Sequence, residues 1–149
     1  MKENRSHLKL TTVLFRTLQH VSLVLKNDIQ SYQLNTTEFG TLELLYNRGR
    51  QPIQSIASKL LMANSSMTYV IDKLEKRNFI TKTNDDIDKR MTMIELTTEG
   101  KAFFDSIFPK HIQTLAEMFD GLSEQEVELL IELLKKVGYQ AMAMHGDSR

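Results

Sequence analysis

Hydrophobic residues recur three and four positions apart along most of the chain, a spacing that places them on one side of an α-helix. A first helix is predicted over residues 8–32, and its apolar stripe consists of Leu14, Leu18, Val21 and Leu25. Three further stripes consist of Phe39, Leu42, Leu45 and Tyr46 in a second helix, Ile56, Ala57, Leu60 and Leu61 in a third, and Met67, Val70, Ile71 and Leu74 in a fourth. The pattern predicts a mainly helical protein.

Polar residues and one glycine mark where these helices begin and end. Asn35 and Glu38 have the spacing of a capping box, and Gly49 ends the second helix. Residues 64–66 form a polar turn that should cap the fourth helix. Asn78 stands where that helix should stop, because asparagine tolerates the left-handed backbone conformation. Two short helices joined by such a turn predict a helix-turn-helix.

The period of the pattern changes after residue 78. Residues 79–83 and 91–96 alternate in character and predict two strands, which enclose the polar loop of residues 84–90. Thr97 can cap the helix that follows. Two strands directly after a helix-turn-helix form a β-wing. The predicted fold class is therefore mainly α with a small β-wing, a winged helix-turn-helix joined to a helical region.

Two long helices follow the wing, over residues 98–119 and 123–144. Their inward faces are predicted to carry Phe104, Phe108, Ile112, Leu115 and Phe119, and then Val127, Leu130, Ile131, Leu134 and Val137. Together with the first helix they present more apolar surface than one small helix-turn-helix core can cover. A second copy of the chain is the simplest cover for this surface, so we expect a homodimer.

The length of 149 residues favours a single domain over residues 1–149. Within it, residues 34–97 would form a DNA-binding lobe, and residues 7–33 and 98–144 a helical dimerisation region. No apolar run approaches the roughly 20 residues that span a bilayer, and residues 1–6 lack the apolar segment of a signal peptide. We expect a soluble cytoplasmic protein without a membrane partner.

The composition argues against catalysis, metals and cofactors. The chain has no cysteine, which excludes disulfides and thiolate chemistry. Its histidines are too far apart in sequence for a helical zinc site, and its six glycines suggest no nucleotide loop. An enzyme that used His20 or His111 is the alternative, but neither has a recognisable catalytic partner. We expect no catalytic residue, no metal and no cofactor.

Charge is distributed unevenly, although 19 basic and 19 acidic residues cancel overall. Residues 48–82 contain seven basic and two acidic residues, a net charge of +5, whereas residues 99–134 contain two basic and eight acidic residues, a net charge of −6. This polarity would turn the middle of the chain toward a polyanion. An ordinary solvated surface is the alternative interpretation.

The fourth helix has a polar face opposite its apolar stripe, which suits insertion into the major groove of DNA. We expect Ser65, Ser66, Thr68 and Tyr69 to lie near bases, with Asn64 beside them in the turn. Lys73 would contact the DNA backbone, and the hydroxyl of Ser55, at the start of the third helix, would contact a phosphate. A solvated helix face without a ligand is the alternative.

The order of these elements and several residue runs resemble the MarR family of bacterial transcription regulators. The runs are Leu44–Leu45, Ile56–Leu60, Thr68–Arg77, Asp88–Arg90 and Leu96–Gly100, of which the last two match the family's wing pattern and its closing motif. The resemblance covers residues 8–144. Residues 59–75 are also similar to those of members that respond to quinone-like or phenolic electrophiles, such as the MhqR type.

The resemblance implies roles for the wing and for aromatic residues. Arg90 would enter the minor groove while Asp88 braces the loop by pairing with a nearby cation, and Lys82 and Lys89 would contact phosphates. A small aromatic or phenolic effector would bind between the helix-turn-helix and the dimer helices. The aromatic residues available to line that space are Phe15, Phe39 and Tyr46. Each of these three is alternatively a plain core residue.

These inferences predict a homodimeric, sequence-specific regulator of transcription. It would bind a palindromic operator on double-stranded DNA and act as a repressor that a small aromatic effector releases. A winged-helix protein-interaction module without DNA binding is the alternative.

Overall fold

The computed structural model describes residues 2–146 and the side chains of residues 5–146. Residue 1 and residues 147–149 of the predicted domain lie outside this range. The elements are α1 (Lys2–Ser31), α2 (Thr36–Arg48), β1 (Gln51–Pro52), α3 (Ile53–Lys59), α4 (Asn64–Lys76), β2 (Ile80–Asn84), β3 (Thr92–Leu96), α5 (Thr98–Met118) and α6 (Glu124–Met144). This order confirms the predicted mainly helical fold with a β-wing.

The chain forms two compact units, Met1–His111 and Ile112–Arg149. The first unit contains α1 to α4, the sheet and α5 as far as His111. The second contains the end of α5 and α6. The predicted division into a DNA-binding lobe and a dimerisation region is a functional one and stays a prediction. None of the helices in the described range is both long and apolar enough to span a membrane.

The sheet is antiparallel, and its strands lie in the order β1-β3-β2. In the wing, Ile80 pairs with Leu96 and Asn84 with Thr92, so the loop of residues 85–91 joins the two strands. β1 pairs with the edge of β3 that β2 leaves free, and Gln51 lies opposite Ile94 there. The segment before α3 is therefore tied to the wing by hydrogen bonds.

The core of the first unit is formed by the apolar stripes of α2, α3 and α4 together with residues of α1, the sheet and α5. It contains Ile29, Leu34, Phe39, Leu42, Leu45, Ile56, Ala57, Met67, Val70, Ile71, Leu74, Ile80, Ile94, Phe104 and Ile107. The predicted stripe of α4 is completely buried. Tyr46 is only partly buried, because its ring lies at the edge of the core against Phe104.

Most of the predicted helix ends are confirmed. Asn35 Oδ1 accepts a hydrogen bond from Glu38 N, and Glu38 Oε1 accepts one from Asn35 N, which completes the capping box. Gly49 caps α2 with a φ of 74°. Asn78 has a φ of 63°, the left-handed conformation expected of it.

Two predictions about the helix-turn-helix are wrong. Leu61 does not belong to the buried stripe of α3, because α3 ends at Lys59 and Leu61 has a φ of 54° and is 91% exposed. Residues 64–66 do not cap α4 from outside. They form its first turn, since the capping position is Ala63, whose side chain offers no acceptor.

The buried face of α5 also differs from the predicted one. Phe104, Ile107 and His111 are buried, whereas Ile112 and Phe119 are exposed. The prediction placed one apolar face along the whole helix, but the helix passes from the first unit into the second after His111. In α6, Ser123 and Glu126 form a capping box at the N-terminus, and none of the residues of this helix is buried.

The start of α5 touches the segment between α4 and β2 through Gly100. A Cβ atom on Gly100 would lie 1.9 Å from the carbonyl oxygen of Phe79, far inside the contact distance. The same carbonyl accepts a hydrogen bond from Thr97 N at 3.0 Å. Thr97 Oγ1 accepts one from Gly100 N at 2.9 Å and donates one to the Asn78 carbonyl at 2.6 Å. The Thr-x-x-Gly motif therefore serves as both a cap and a close packing contact.

Gly100→Ala should lower the free energy of unfolding by about 3 kcal/mol, because the backbone at Phe79 must move to admit the methyl group. Urea denaturation followed by circular dichroism measures the change. Gly121→Ala is the matched control, since no atom lies within 4 Å of the position that its methyl group would take. Equal stability of the Gly100→Ala variant and the wild type would contradict the close packing.

Candidate nucleic-acid interface

One side of α4 faces the core, and the other side is exposed. The core contains Met67, Val70, Ile71 and Leu74. Their burial fixes the orientation of α4 about its own axis. The exposed side carries Ser65, Ser66, Thr68, Tyr69 and Lys73, all of which the sequence predicted to contact DNA. Tyr69 is 66% exposed, and the Lys73 ammonium lies 5.6 Å from the centre of its ring. This arrangement offers an aromatic ring, hydroxyls and a cation to one surface.

The N-terminal turn of α4 has no side-chain cap. Asn64 does not fill this role, and its carbonyl instead accepts a hydrogen bond from Thr68 Oγ1 at 3.0 Å. The first backbone N–H groups of a helix lack partners within the helix and attract anions. The beginning of α4 therefore combines free amide donors with the exposed hydroxyls of Ser65 and Ser66.

The wing presents Arg90 to solvent, since its side chain is 96% exposed. Asp88 Oδ1 accepts a hydrogen bond from the backbone N of Arg90 at 3.1 Å and lies 3.7 Å from the Nε atom of the same arginine. The carboxylate therefore holds the backbone of Arg90 and lies close to its guanidinium. Lys89 beside it is exposed as well.

Lys82 connects the wing to α4. Its ammonium lies 2.8 Å from Asp72 Oδ1 and 3.5 Å from Glu75 Oε1. The hydrogen bond to Asp72 raises the pKa of the Lys82 ammonium above its ordinary value. A contact of Lys82 with phosphate would have to compete with two carboxylates or share the ammonium with them.

Other basic residues of the positively charged segment also have partners within the protein. Arg77 Nη1 donates to the Gln33 carbonyl at 2.7 Å and lies 3.9 Å from Glu38 Oε2. Lys59 Nζ donates to Gln51 Oε1 at 3.1 Å, and the Ser55 hydroxyl donates to the same oxygen at 3.3 Å. A count of formal charges overstates the cations of this segment that are available to a ligand.

The structure does not gather the three predicted effector residues into one cavity. Phe15 on α1 is 69% exposed, whereas Phe39 is buried against Phe104 and His111. Tyr46 lines an open pocket of about 180 Å³ whose other lining residues include Arg50 and Lys101. The Tyr46 hydroxyl donates to Asp105, and this bond raises the pKa of the phenol. The effector pocket stays a prediction.

One polar cluster within the core was not predicted. His111 Nδ1 lies 2.7 Å from Asp28 Oδ2, and both side chains are almost fully buried. The Tyr32 hydroxyl donates to Asp28 Oδ1 at 2.7 Å. The cluster joins α1 to α5 in the first unit. The only sequence signal was a histidine on the apolar face of a helix, and its partner lies 83 residues away in the sequence.

Metal binding finds no support in the part of the chain that the structure describes. No group of three or more histidine, aspartate or glutamate side chains lies close enough together there to hold an ion.

Comparisons with known proteins agree on one family. The profile of the MarR family matches residues 34–92. The HTH-type transcriptional regulator MhqR of Bacillus subtilis is 41% identical over 138 residues, which cover 93% of this chain and 95% of that protein.

Among solved structures, a MarR family protein from Bacillus stearothermophilus superimposes with a TM-score of 0.76 at 18% identity, covering 93% of this chain and 97% of that one. BpsR of Bordetella bronchiseptica, whose DNA binding is regulated by 6-hydroxynicotinic acid, gives a TM-score of 0.74 at 22% identity, covering 87% and 98%. At these identities the two structures support the fold. The family profile and the sequence match to MhqR show that the chain belongs to the MarR family of transcriptional regulators, which are not enzymes.

Proposed function

We propose that this regulator is a cytoplasmic homodimer that binds a palindromic operator and represses transcription until a small aromatic or phenolic effector releases it. The observation that carries the proposal is that one compact unit exposes two features suited to DNA. These are the polar face of α4, with Tyr69 at its centre, and the wing arginine, Arg90.

The geometry of α4 supports reading of the major groove. Its first two turns carry Ser65, Ser66, Thr68 and Tyr69 on the exposed side, and such positions of a recognition helix meet base edges. The uncapped N-terminus and Lys73 would bind the phosphates on either side. The wing would bring Arg90 to the neighbouring minor groove, whose negative potential attracts guanidinium groups.

The apolar surface of α6 supports the dimer. All of its large apolar residues are exposed to some degree in the single chain, and Leu129, Leu133 and Val137 are among them. A groove of about 180 Å³ in the second unit is lined by Phe119, Leu122, Val127, Leu130, Ile131 and Leu134. Contiguous apolar surface of this kind marks an interface. Two copies related by a two-fold axis would read the two halves of a palindrome.

The similarity to MhqR and the regulation of BpsR by 6-hydroxynicotinic acid support an effector-released regulator. Because each reading head is joined to long helices, a ligand that favours one separation of the two heads would shift the population away from the DNA-binding form. The comparisons do not favour the alternative of a protein-interaction module without DNA binding.

Arg90→Ala should weaken binding by about 1–3 kcal/mol, because one guanidinium is lost from the minor groove. The probe is a duplex that the wild-type protein selects from a random library, with and without added phenols and quinones. Fluorescence anisotropy measures the affinity. Lys135→Ala removes a positive charge from the exposed polar side of α6 and should leave the affinity unchanged. Equal affinity of the Arg90→Ala variant and the wild type would remove the wing from the interface.

Tyr69→Ala should change which sequences are selected more than it changes binding to unrelated DNA, since an aromatic ring on the recognition helix reads base edges and thymine methyl groups. Parallel selections with the variant and the wild type provide the comparison. An equal loss of affinity on the selected duplex and on unrelated DNA would assign Tyr69 to the backbone instead.

Leu130→Glu should shift the protein from dimer to monomer, because the charge would be buried in the apolar interface. Sedimentation equilibrium at micromolar concentration measures the change. Lys135→Gln alters the net charge by the same amount on the other side of α6 and should remain dimeric. Dimers of equal stability for both variants would exclude this face from the interface.

A further inference from the structure

We infer that Arg50 is a positioning residue that holds the wing loop in the conformation that presents Arg90. The inference deepens the proposed function, because it concerns how the wing would be prepared for DNA. Formal charge alone would assign Arg50 to the cations that contact phosphate directly. Its contacts within the protein indicate a different role.

The backbone of Arg50 is fixed on both sides. Gly49 ends α2 with a φ of 74°, and its N–H donates to the Leu45 carbonyl at 2.8 Å. On the other side, Gln51 pairs with Ile94 in the middle strand of the sheet. The guanidinium of Arg50 therefore extends from a rigid support between a helix end and a strand.

From this support Arg50 contacts three consecutive residues at the point where β2 passes into the wing loop. Nη2 donates to Thr83 Oγ1 at 2.9 Å and to the Asn84 carbonyl at 3.4 Å, and Nη1 lies 3.9 Å from Asp85 Oδ1. Because the strand order is β1-β3-β2, the side chain reaches the far strand from the opposite edge of the sheet. One guanidinium thus ties the exit of β2 to the end of α2.

The contact continues from Asp85 to Arg90 through the loop. Asp85 Oδ2 accepts a hydrogen bond from Asp88 N at 3.1 Å, and Asp88 Oδ1 in turn accepts one from Arg90 N at 3.1 Å. Asp85 N also donates to the Met91 carbonyl at 3.0 Å. The two oxygens of the Asp85 carboxylate therefore face different partners, Arg50 on one side and the loop backbone on the other.

Geometry matters more than charge in this arrangement. The ion pair between Arg50 and Asp85 is long and partly exposed, with side-chain exposures of 35% and 24%, and such a pair contributes little by itself. What only arginine supplies is a planar fork that can meet a hydroxyl, a carbonyl and a carboxylate together. The Arg50→Lys variant should therefore keep the positive charge but lose most of the ordering of the wing loop.

A double-mutant cycle on the duplex selected by the wild-type protein tests the inference. Arg90→Met should weaken binding about 5- to 150-fold. Arg50→Met should produce most of the same loss, and the double variant should bind no more than about threefold more weakly than Arg90→Met alone. Losses that multiply in the double variant, or an unchanged affinity of Arg50→Met, would overturn the inference.

Hydrogen exchange in the free protein provides a readout that does not depend on DNA. Arg50→Met and Asp85→Ala should each accelerate exchange of the Asp88 and Arg90 amides about tenfold, because the loop loses its anchor. Unchanged exchange in both variants would overturn the inference. If the wild type selects no duplex, the proposed function fails, whereas the exchange measurement still decides whether Arg50 orders the loop.

Arg48→Met is the matched control. Arg48 lies two residues before Arg50 and is exposed at the end of α2. Its replacement by methionine removes the same charge as Arg50→Met. Exchange at Asp88 and Arg90 should match the wild type in this variant, and any effect on affinity should multiply with that of Arg90→Met. Accelerated exchange in Arg48→Met equal to that in Arg50→Met would reduce the result to a general effect of charge and overturn the specific role.

Discussion

Burial of four side chains on one face of α4 is the constraint on which the other features depend. Met67, Val70, Ile71 and Leu74 are buried in the core, so the helix cannot rotate without exposing apolar surface or leaving cavities. This fixes the direction of Tyr69 and of the hydroxyls beside it. The same burial fixes the position of the helix end, from which the chain turns at Asn78 into the wing.

Local signals in the sequence were sufficient for the helices, most of their caps and the wing, because periodicity and capping depend on residues at most four positions apart. The prediction for Leu61 is wrong because the residue type alone does not distinguish a leucine in a left-handed turn from a leucine on the buried face of a helix. The predicted buried face of α5 continued past His111, because no local sequence signal indicates that the helix passes there from one compact unit into the other.

The candidate site was predictable in its residue types but not in its pairings. The exposed face of α4 followed from the stripe opposite it. By contrast, the partners of Arg50, Lys82 and Arg77 lie 7 to 44 residues away in the sequence and meet only in the folded chain. The charge count over residues 48–82 treated these three as cations available to DNA, whereas the fold pairs them with groups in other elements. The pairing of Asp28 with His111 could not be predicted either, because the two residues are 83 positions apart in the sequence.

The bridge from Lys82 to Asp72 and Glu75 has a mechanical consequence. One ammonium links the first strand of the wing to the C-terminal half of α4, so a change in the angle between the wing and α4 would stretch this contact. A hinge inside the head would first have to break this contact and expose two carboxylates to each other's repulsion. Since the three side chains are partly exposed, the contact should favour one angle between the wing and α4 without locking it.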